Sequence, residues 1–373
     1  MQKNKIMLYG PIVAELEGAY GGGTGGYTRK MGLYLNHFRK DDFEMIPCYH
    51  TVKGQYKYGF FVVRFFMDLW SFLRGLIQIK PKIVHIQAQY RTAVPREFAI
   101  ILLARLFGKP VVYEIKAGVF HSWYPQTNPL FRWMAKFCIK NSAVVLCQGK
   151  PYIDLIEKEI GVKAYYYPNF VAMTEIPEDP GTKLTDAAMR ILFVGYAYRD
   201  KGVFELIEGC NKAAEVSPIE LTLIGKEHPE FTEWLDQFTL HPNFKVHRLG
   251  RMPHEEVLKQ YPLHDIYCYP TRHPGEGHNN SINEAMMSGL VIVTTRQGFL
   301  GTILNNDIAY FLDAVSTEEV ERTLKAIATD RPTAQEKARK VRQYLLDNFT
   351  SDVAYNKLEQ HYSNILHLQT ATT

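Results

Sequence analysis

Short segments that are apolar on both faces alternate with helical patterns along most of this chain. The strand-like runs in the first half are residues 6–9, 43–48, 83–87, 111–115, 143–147 and 164–167, and the helical patterns among them are 25–39, 60–79, 96–107, 130–139 and 152–160. A strand with two apolar faces must be covered on both sides, and an intervening helix supplies both the cover and the crossover between parallel neighbours. The pattern therefore predicts an α/β chain built on parallel sheets. It breaks at Pro168, Pro177 and Pro180, where Glu178, Asp179 and Gly181 give the texture of a linker. Alternation then restarts, with strand-like runs at 190–194, 221–224, 245–249, 265–269 and 290–294. At 373 residues the chain is too long for one typical core. The reading is a first domain at 1–173, a second at 174–350, and a C-terminal helix and tail at 351–373 that packs back on the first. Two such domains imply a cleft, and ligands of open α/β sheets sit beyond the carboxyl ends of the strands.

The formal net charge of +4 hides an asymmetry. Residues 1–173 hold 23 Lys and Arg against 11 Asp and Glu, and the remainder holds 20 against 28. A basic half suggests an anionic partner: lipid head groups, a phosphate-bearing acceptor or nucleic acid. No zinc-finger spacing, RNA-binding aromatic signature or dense basic run supports nucleic acid, so none is expected as a partner. The competing reading is attraction between the two halves. Arg29, Lys30, Arg39 and Lys40, around the helix at 25–39, form the candidate face for peripheral contact with an anionic membrane. The apolar segment 60–79 is interrupted by Arg64, Asp68 and Arg74, which reads as a core helix rather than a membrane span. The five cysteines are odd in number and widely spaced, so buried reduced thiols are expected rather than disulfides or a metal site. Met1 to Leu8 lacks the long apolar core of a signal peptide, and a cytoplasmic location, at the inner face of a membrane if the acceptor is lipid-linked, is the expectation.

Residues 276–284, Glu-Gly-His-Asn-Asn-Ser-Ile-Asn-Glu, carry the most chemistry. An apolar run precedes them, and a helix continuing through Ala285, Met286 and Met287 follows. Glu276 thus stands on a loop leaving a strand and Glu284 just inside a helix. Between them, backbone N–H groups of a first helical turn lack helical partners and suit a phosphate. An acid on either side can accept hydroxyl hydrogens, a pattern that matches a sugar, a diphosphate and a ribose in line. The structural alternative is a capping box, Ser281-x-x-Glu284.

Other strand ends contribute. The run 190–194 leads into Gly195, Tyr196, Arg199 and Lys201 before a helix, a place suited to neutralising a diphosphate. The run 221–224 ends at Gly225. Gly21, Gly22, Gly23, Gly25 and Gly26 contain a formal G-x-G-x-x-G match, but they lie on a long loop and no acid ends the second strand. A lid over the cleft fits them better than a dinucleotide site. There is no Asp-x-Asp triplet and no G-x-S-x-G, and His273 and His278 have no companions at metal-ligand spacing.

These pieces together resemble the retaining nucleotide-sugar glycosyltransferases of family 4. The matching residues are 276–286, Phe193-Val194-Gly195 with Lys201-Gly202, Leu223-Ile224-Gly225, Leu249-Gly250-Arg251-Met252-Pro253, Gly25-Gly26 and Val84-His85-Ile86. The resemblance implies two Rossmann-like parallel-sheet domains facing a central cleft, the GT-B architecture. It implies a hexosyl transfer with retention and without a metal or other cofactor. The donor would be a nucleotide diphosphate sugar and the acceptor a hydroxyl of a saccharide or lipid-linked saccharide, in the synthesis of a bacterial surface polysaccharide. By that resemblance Glu276, Lys201 and Lys116 are catalytic. Gly195, Arg199, Lys201, Gly225, Gly277, His278, Asn279, Asn280, Ser281, Ile282 and Glu284 bind the donor, and Gly25 and Gly26 form a loop near donor and acceptor.

Two positions depart from the family. Tyr196 stands where an Arg usually follows the glycine equivalent to Gly195, leaving Arg199 as the nearest cation there. Lys116 stands where many members have a His, and His121 follows it. Either Lys116 or His121 could take that role, or Glu114 could serve the acceptor. These departures keep open a non-catalytic nucleotide- or carbohydrate-binding protein on the same scaffold; a separate alternative is a nucleotide-sugar epimerase of the same architecture, which would act with no acceptor.

Overall fold

The computed structural model describes residues 3–11, 25–38, 40–50, 61–116 and 118–371. The chain forms two compact units, one comprising residues 1–169 and 351–373 and the other 170–350. In the first, strands β1 (Asn4–Pro11), β2 (Phe43–His50), β3 (Ile83–Ala88), β4 (Val111–Ile115), β5 (Val144–Cys147) and β6 (Ala164–Tyr166) form a sheet in the order β2-β1-β3-β4-β5-β6. Its helices are α1 (Gly25–His37), α2 (Phe61–Ile79), α3 (Val94–Leu106), α4 (Phe120–Gln126), α5 (Pro129–Lys140) and α6 (Lys150–Leu155). In the second unit, β7 (Met189–Val194), β8 (Ile219–Ile224), β9 (Phe244–Gly250), β10 (Ile266–Tyr269), β11 (Val291–Thr295) and β12 (Tyr310–Leu312) form a sheet in the order β12-β11-β10-β7-β8-β9. Its helices are α7 (Val203–Ala213), α8 (Pro229–Gln237), α9 (His254–Gln260), α10 (Asn280–Met287), α11 (Leu300–Ile303), α12 (Thr317–Thr329) and α13 (Arg331–Asn348). The last helix, α14 (Ser351–Ala371), belongs to the first unit.

All strand pairs are parallel. The physical reason is the burial anticipated above: every residue of β3, β4, β5, β10 and β11 is buried. The edge strand β9 instead exposes Lys245, His247 and Arg248, which blunts an edge against further pairing. Among the described residues of the first sheet, α2 and α3 cover one face, with Phe72 of α2 packed edge-on against Tyr9 at 5.3 Å. Helices α1 and α14 lie on the other. Tyr355 of α14 donates to the Leu33 carbonyl at 2.6 Å, and Tyr362 lies 2.6 Å from His85 Nδ1 on β3.

Local differences from the sequence reading have physical causes. Helix α4 carries Pro125 in its interior, and its shortness gives no periodic signal. A π-helical turn, Ile156–Ile160, extends α6 to a left-handed Gly161. Gly25 and Gly26 open α1 rather than lie in the loop, whose remaining glycines fall outside the described residues. Two of the four cations of the proposed face around α1 are engaged within the unit. Lys30 is 3% exposed and paired with Glu114 at 2.5 Å, while Lys40 bonds Glu359 and Asn356 of α14. Arg39 lies outside the described residues. All five cysteines are buried and free, and no helix among the described residues is long and apolar enough to cross a membrane.

Candidate functional site

In the second unit the carboxyl ends of β7, β8 and β10 lead into the predicted residues. Strand β10 stacks Tyr267 and Tyr269 on one face, two residues apart, with ring centroids 6.0 Å from each other. The chain leaves β10 through Pro270 and Thr271 and reaches Glu276, which is buried. Glu276 Oε2 accepts from Lys201 Nζ at 2.6 Å, Thr271 Oγ1 at 3.0 Å and Tyr269 OH at 3.3 Å. Its Oε1 accepts from Asn279 Nδ2 at 3.3 Å. The Lys201 ammonium also lies 5.2 Å from the centre of the Tyr269 ring. So the structure brings Glu276 and Lys201 together from 75 residues apart.

Two glycines make this approach possible. Gly202, at φ +66°, precedes α7, and a Cβ on it would come within 1.9 Å of the Pro270 carbonyl oxygen. Gly298, at φ +58°, would place a Cβ 1.9 Å from the Glu276 carbonyl oxygen. Any side chain at either position would push Lys201 or Glu276 away. The Asp200 carbonyl completes the link, accepting from Arg272 N at 2.8 Å and lying 3.3 Å from Thr271 Oγ1.

Helix α10 begins at Asn280, four residues after this carboxylate. Asn279 is its N-cap, with Oδ1 accepting from Ser281 N at 2.9 Å and Ser281 Oγ at 2.8 Å. The Ser281–Glu284 capping box therefore does not form. With Asn279 capping, Ser281 is already the second helical residue, and its hydroxyl instead meets Tyr267 OH at 2.6 Å. Glu284 is buried one turn further on, where its Oε2 accepts from Tyr261 OH at 2.8 Å and its Oε1 lies 3.9 Å from His254 Nε2. Asn280 is half-buried as the first helical residue, Gly277 half-buried before it, and Ile282 fully buried. His278 turns into the unit: its Nε2 lies 2.7 Å from Asn283 Oδ1, and its ring packs edge-on against Phe349 at 4.9 Å.

Gly195 and Gly225 sit side by side, the Gly195 N–H donating to the Ile224 carbonyl at 2.9 Å. Arg199 does not join Glu276. It bonds Glu230 of α8 at 2.6 Å and lies over the Phe204 ring at 4.4 Å. Sequence reasoning missed Tyr261, Tyr267, Tyr269, Thr271 and Gly298. The period-2 spacing of Tyr267, Tyr269 and Thr271 was a usable signal for three of them.

Lys116 lies in the first unit, just after β4, and is buried. Burial, followed by the charge of Lys30, pushes its pKa well down against the opposing pull of Glu114. Glu114 itself is fully buried: Lys30 lies against one oxygen as an ion pair, and the other accepts from Tyr34 OH at 3.0 Å and lies 3.2 Å from His85 Nε2. These partners tie it into the fold. His121, on α4, packs its ring against Tyr152 at 5.8 Å.

Two units, each a six-stranded parallel sheet with flanking helices, have the GT-B glycosyltransferase fold, as the solved structures they match confirm. Residues 188–348, which hold the Glu276 cluster, match the family model described as glycosyl transferases group 1. Sucrose-phosphate synthase from Thermosynechococcus elongatus superposes with a TM-score of 0.72 at 14% identity, covering 98% of this chain and all of that one. HepE from Anabaena, solved in complex with UDP and glucose, gives 0.65 at 11% identity, covering 97% and 100%. By sequence, the phosphatidylinositol N-acetylglucosaminyltransferase GPI3 subunit of Saccharomyces cerevisiae is 26% identical over 227 residues, 57% of this chain and 50% of that one. The chain therefore spans about half the length of the curated relatives it matches.

Proposed function

We propose that the chain is a retaining, metal-independent glycosyltransferase of family 4 that moves a hexosyl group from a nucleotide diphosphate sugar to a hydroxyl of a saccharide or lipid-linked saccharide. The observation that carries this reading is the buried Glu276 carboxylate, paired with Lys201 at 2.6 Å at the mouth of α10, inside the segment that matches the family model. Sugar hydroxyls would donate to Glu276. The diphosphate would take Lys201 and the open amides of α10, and ribose hydroxyls would donate to Glu284. In the reaction, the bond from the anomeric carbon to the phosphate oxygen breaks and a bond to the acceptor oxygen forms on the same face. The acceptor proton passes to the leaving phosphate. Lys201 and the positive end of α10 stabilise the charge that develops there. Lys116 stays a proposed catalytic residue on the strength of the family resemblance.

The relatives' names support a UDP-sugar as the first donor to test and a lipid-borne acceptor as the first acceptor; a place in bacterial surface polysaccharide synthesis at the inner face of the membrane rests on the family resemblance alone. The experiment is a panel of nucleotide sugars screened by thermal shift and then by transfer to lipid-linked and free saccharides, with and without EDTA. Product configuration is read by NMR. Transfer with retained configuration, insensitive to EDTA, is expected. Binding without turnover on any acceptor would favour the binding-protein alternative, and donor-sugar interconversion without acceptor would favour the epimerase.

A further inference from the structure

Helix α2 is apolar on two opposite faces. One face, Phe72, Gly75 and Leu76, packs into the unit, with Gly75 close against Met7 and Cys48. The other carries Val63, Phe66, Trp70, Arg74 and Ile77 at helical spacing and points outward, with Phe66 62% and Trp70 67% exposed. A helix apolar all round is ordinarily buried on all sides. This one continues into a wider surface. The Asp68–Arg96 ion pair joins α2 to α3, and the Phe98 ring packs against Trp133 and Phe137 to join α3 to α5. Those helices add Leu106, 73% exposed, Leu102, Leu130 and Trp133 to the outer surface.

The charges on this layer are one-sided. Across α2, α3 and α5 the acids are Asp68 and Glu97, and both are buried. The cations are Arg64, Arg74, Arg96, Arg105, Arg132, Lys136 and Lys140, of which Arg74, Arg105, Arg132 and Lys140 are exposed. Where α3 and α5 end, Arg105, Lys109 and Lys140 line a hollow of about 400 Å³ whose other walls include Asn141 and Ser142 and no acid.

We propose that the outer face of α2, α3 and α5 docks on a bilayer carrying anionic phospholipid. The apolar side chains enter the head-group region, and the Arg105–Lys109–Lys140 hollow takes a lipid phosphate. Charge complementarity selects this occupant. In a twofold dimer the same patch would meet itself and set these cations against their own copies. Anionic lipid supplies the missing negative charge, and exposed tryptophans suit the boundary between water and acyl chain. Membrane contact thus moves away from α1, where Lys30 and Lys40 are already used. Docking does not rest on the transfer reaction, since vesicle binding and turnover are read separately.

The test is co-sedimentation of the full chain with vesicles of phosphatidylcholine alone or mixed with phosphatidylglycerol, at low and high salt. Binding to the mixed vesicles at low salt, reduced at high salt, is expected. The triple variant Arg74→Glu, Arg105→Glu and Lys140→Glu should bind about a hundredfold more weakly or worse, because each of the three cations near an anionic surface contributes about fivefold. Phe66→Ser with Trp70→Ser should lose about tenfold or more through lost apolar burial. Circular dichroism melting checks that both variants fold. If the second does not, quenching of native tryptophan fluorescence by brominated lipid replaces it, with quenching expected. Absent binding at low salt, binding unaffected by either set of changes, or absent quenching would overturn the proposal. So would self-association of the native chain that Trp70→Ser abolishes, which would make this face a contact between copies.

Discussion

Each unit holds a buried carboxylate gripped by a lysine and a tyrosine, yet the two stand in different settings. In the second unit Glu276 holds Lys201, Tyr269 and Thr271; in the first, Glu114 holds Lys30, Tyr34 and His85. Glu114 is a strand residue, paired in register with Gln87 and Leu146 and covered by α1. Its partners all belong to the fold, and Tyr362 of α14 closes the network through His85. Glu276 follows a strand, on a loop, three residues before the N-cap of a helix whose first amides lack helical partners. On the proposed reading, the same ingredients make a structural lock in one setting and a donor site in the other. What differs is whether the neighbouring backbone still has hydrogen bonds to give.

The first unit contains a third buried carboxylate that isolates the role of the cation. Glu97 accepts from Tyr113 OH and, at 2.5 Å, from Gln89 N, while the nearest arginine, Arg96, is committed to Asp68 at 2.9 Å. Burial pushes its pKa up to about 7 against those hydrogen bonds. Burial pushes Glu114 the same way, but Lys30, His85 and Lys116 outweigh it and hold that carboxyl below its usual range. A desolvated carboxyl stays ionised at neutral pH when a cation is dedicated to it.

The comparison can be broken most forcefully at Glu114. Glu114→Ala should strip about 3–5 kcal/mol of stability by leaving Lys30 buried and unpaired. Denaturant melts measure this, and an unchanged midpoint would show that the network is not a lock. Glu276→Ala should do the reverse, reducing transfer about a hundredfold or more while the fold persists. Full turnover in that variant would remove Glu276 from the donor site.

A pH series sharpens the contrast between Glu97 and Glu114. With its folded pKa raised, Glu97 keeps a proton that the unfolded chain releases, so its contribution is fully present below pH 4.5 and is lost as pH rises to about 7. The expected slope is a loss of roughly 1.4 kcal/mol per pH unit within that window. Glu114, with its folded pKa lowered, acts oppositely and loses its contribution only as pH falls below the ordinary carboxylate range. Stability measured for Glu97→Gln should therefore flatten between those limits; an unchanged slope would assign the dependence to another group.

Lys201→Ala should weaken a nucleoside diphosphate by about 1.5–3 kcal/mol and the bare nucleoside far less, in calorimetric titrations. Equal losses would place Lys201 away from phosphate. The smallest effect belongs to Tyr261→Phe, which frees one Glu284 oxygen. Nucleoside affinity should change by about 0.5–1.5 kcal/mol, with catalysis of bound donor unaltered.

Much of the fold was legible in the amino-acid order itself. Short doubly apolar runs such as 143–147 and 290–294 read as interior strands, and the helices between them favour parallel sheets, so the two-sheet α/β class followed from local pattern. The nine residues from Glu276 to Glu284 announced a polar loop running into a helix. Their spacing alone could not tell Asn279 from Ser281 as the cap, because either side chain can receive an early amide and only the backbone path selects one. Nor could it show that Lys201 meets Glu276, that Arg199 goes to Glu230, or that Lys30, counted among surface cations, turns inward from α1 against Glu114. Helical and strand periodicity are properties of neighbours in the chain, and sequence by itself determined what they determine. Charge pairing and burial join residues such as Lys30 and Glu114, whose separation in the chain carries no information about their separation in space, so the tertiary structure alone decided them.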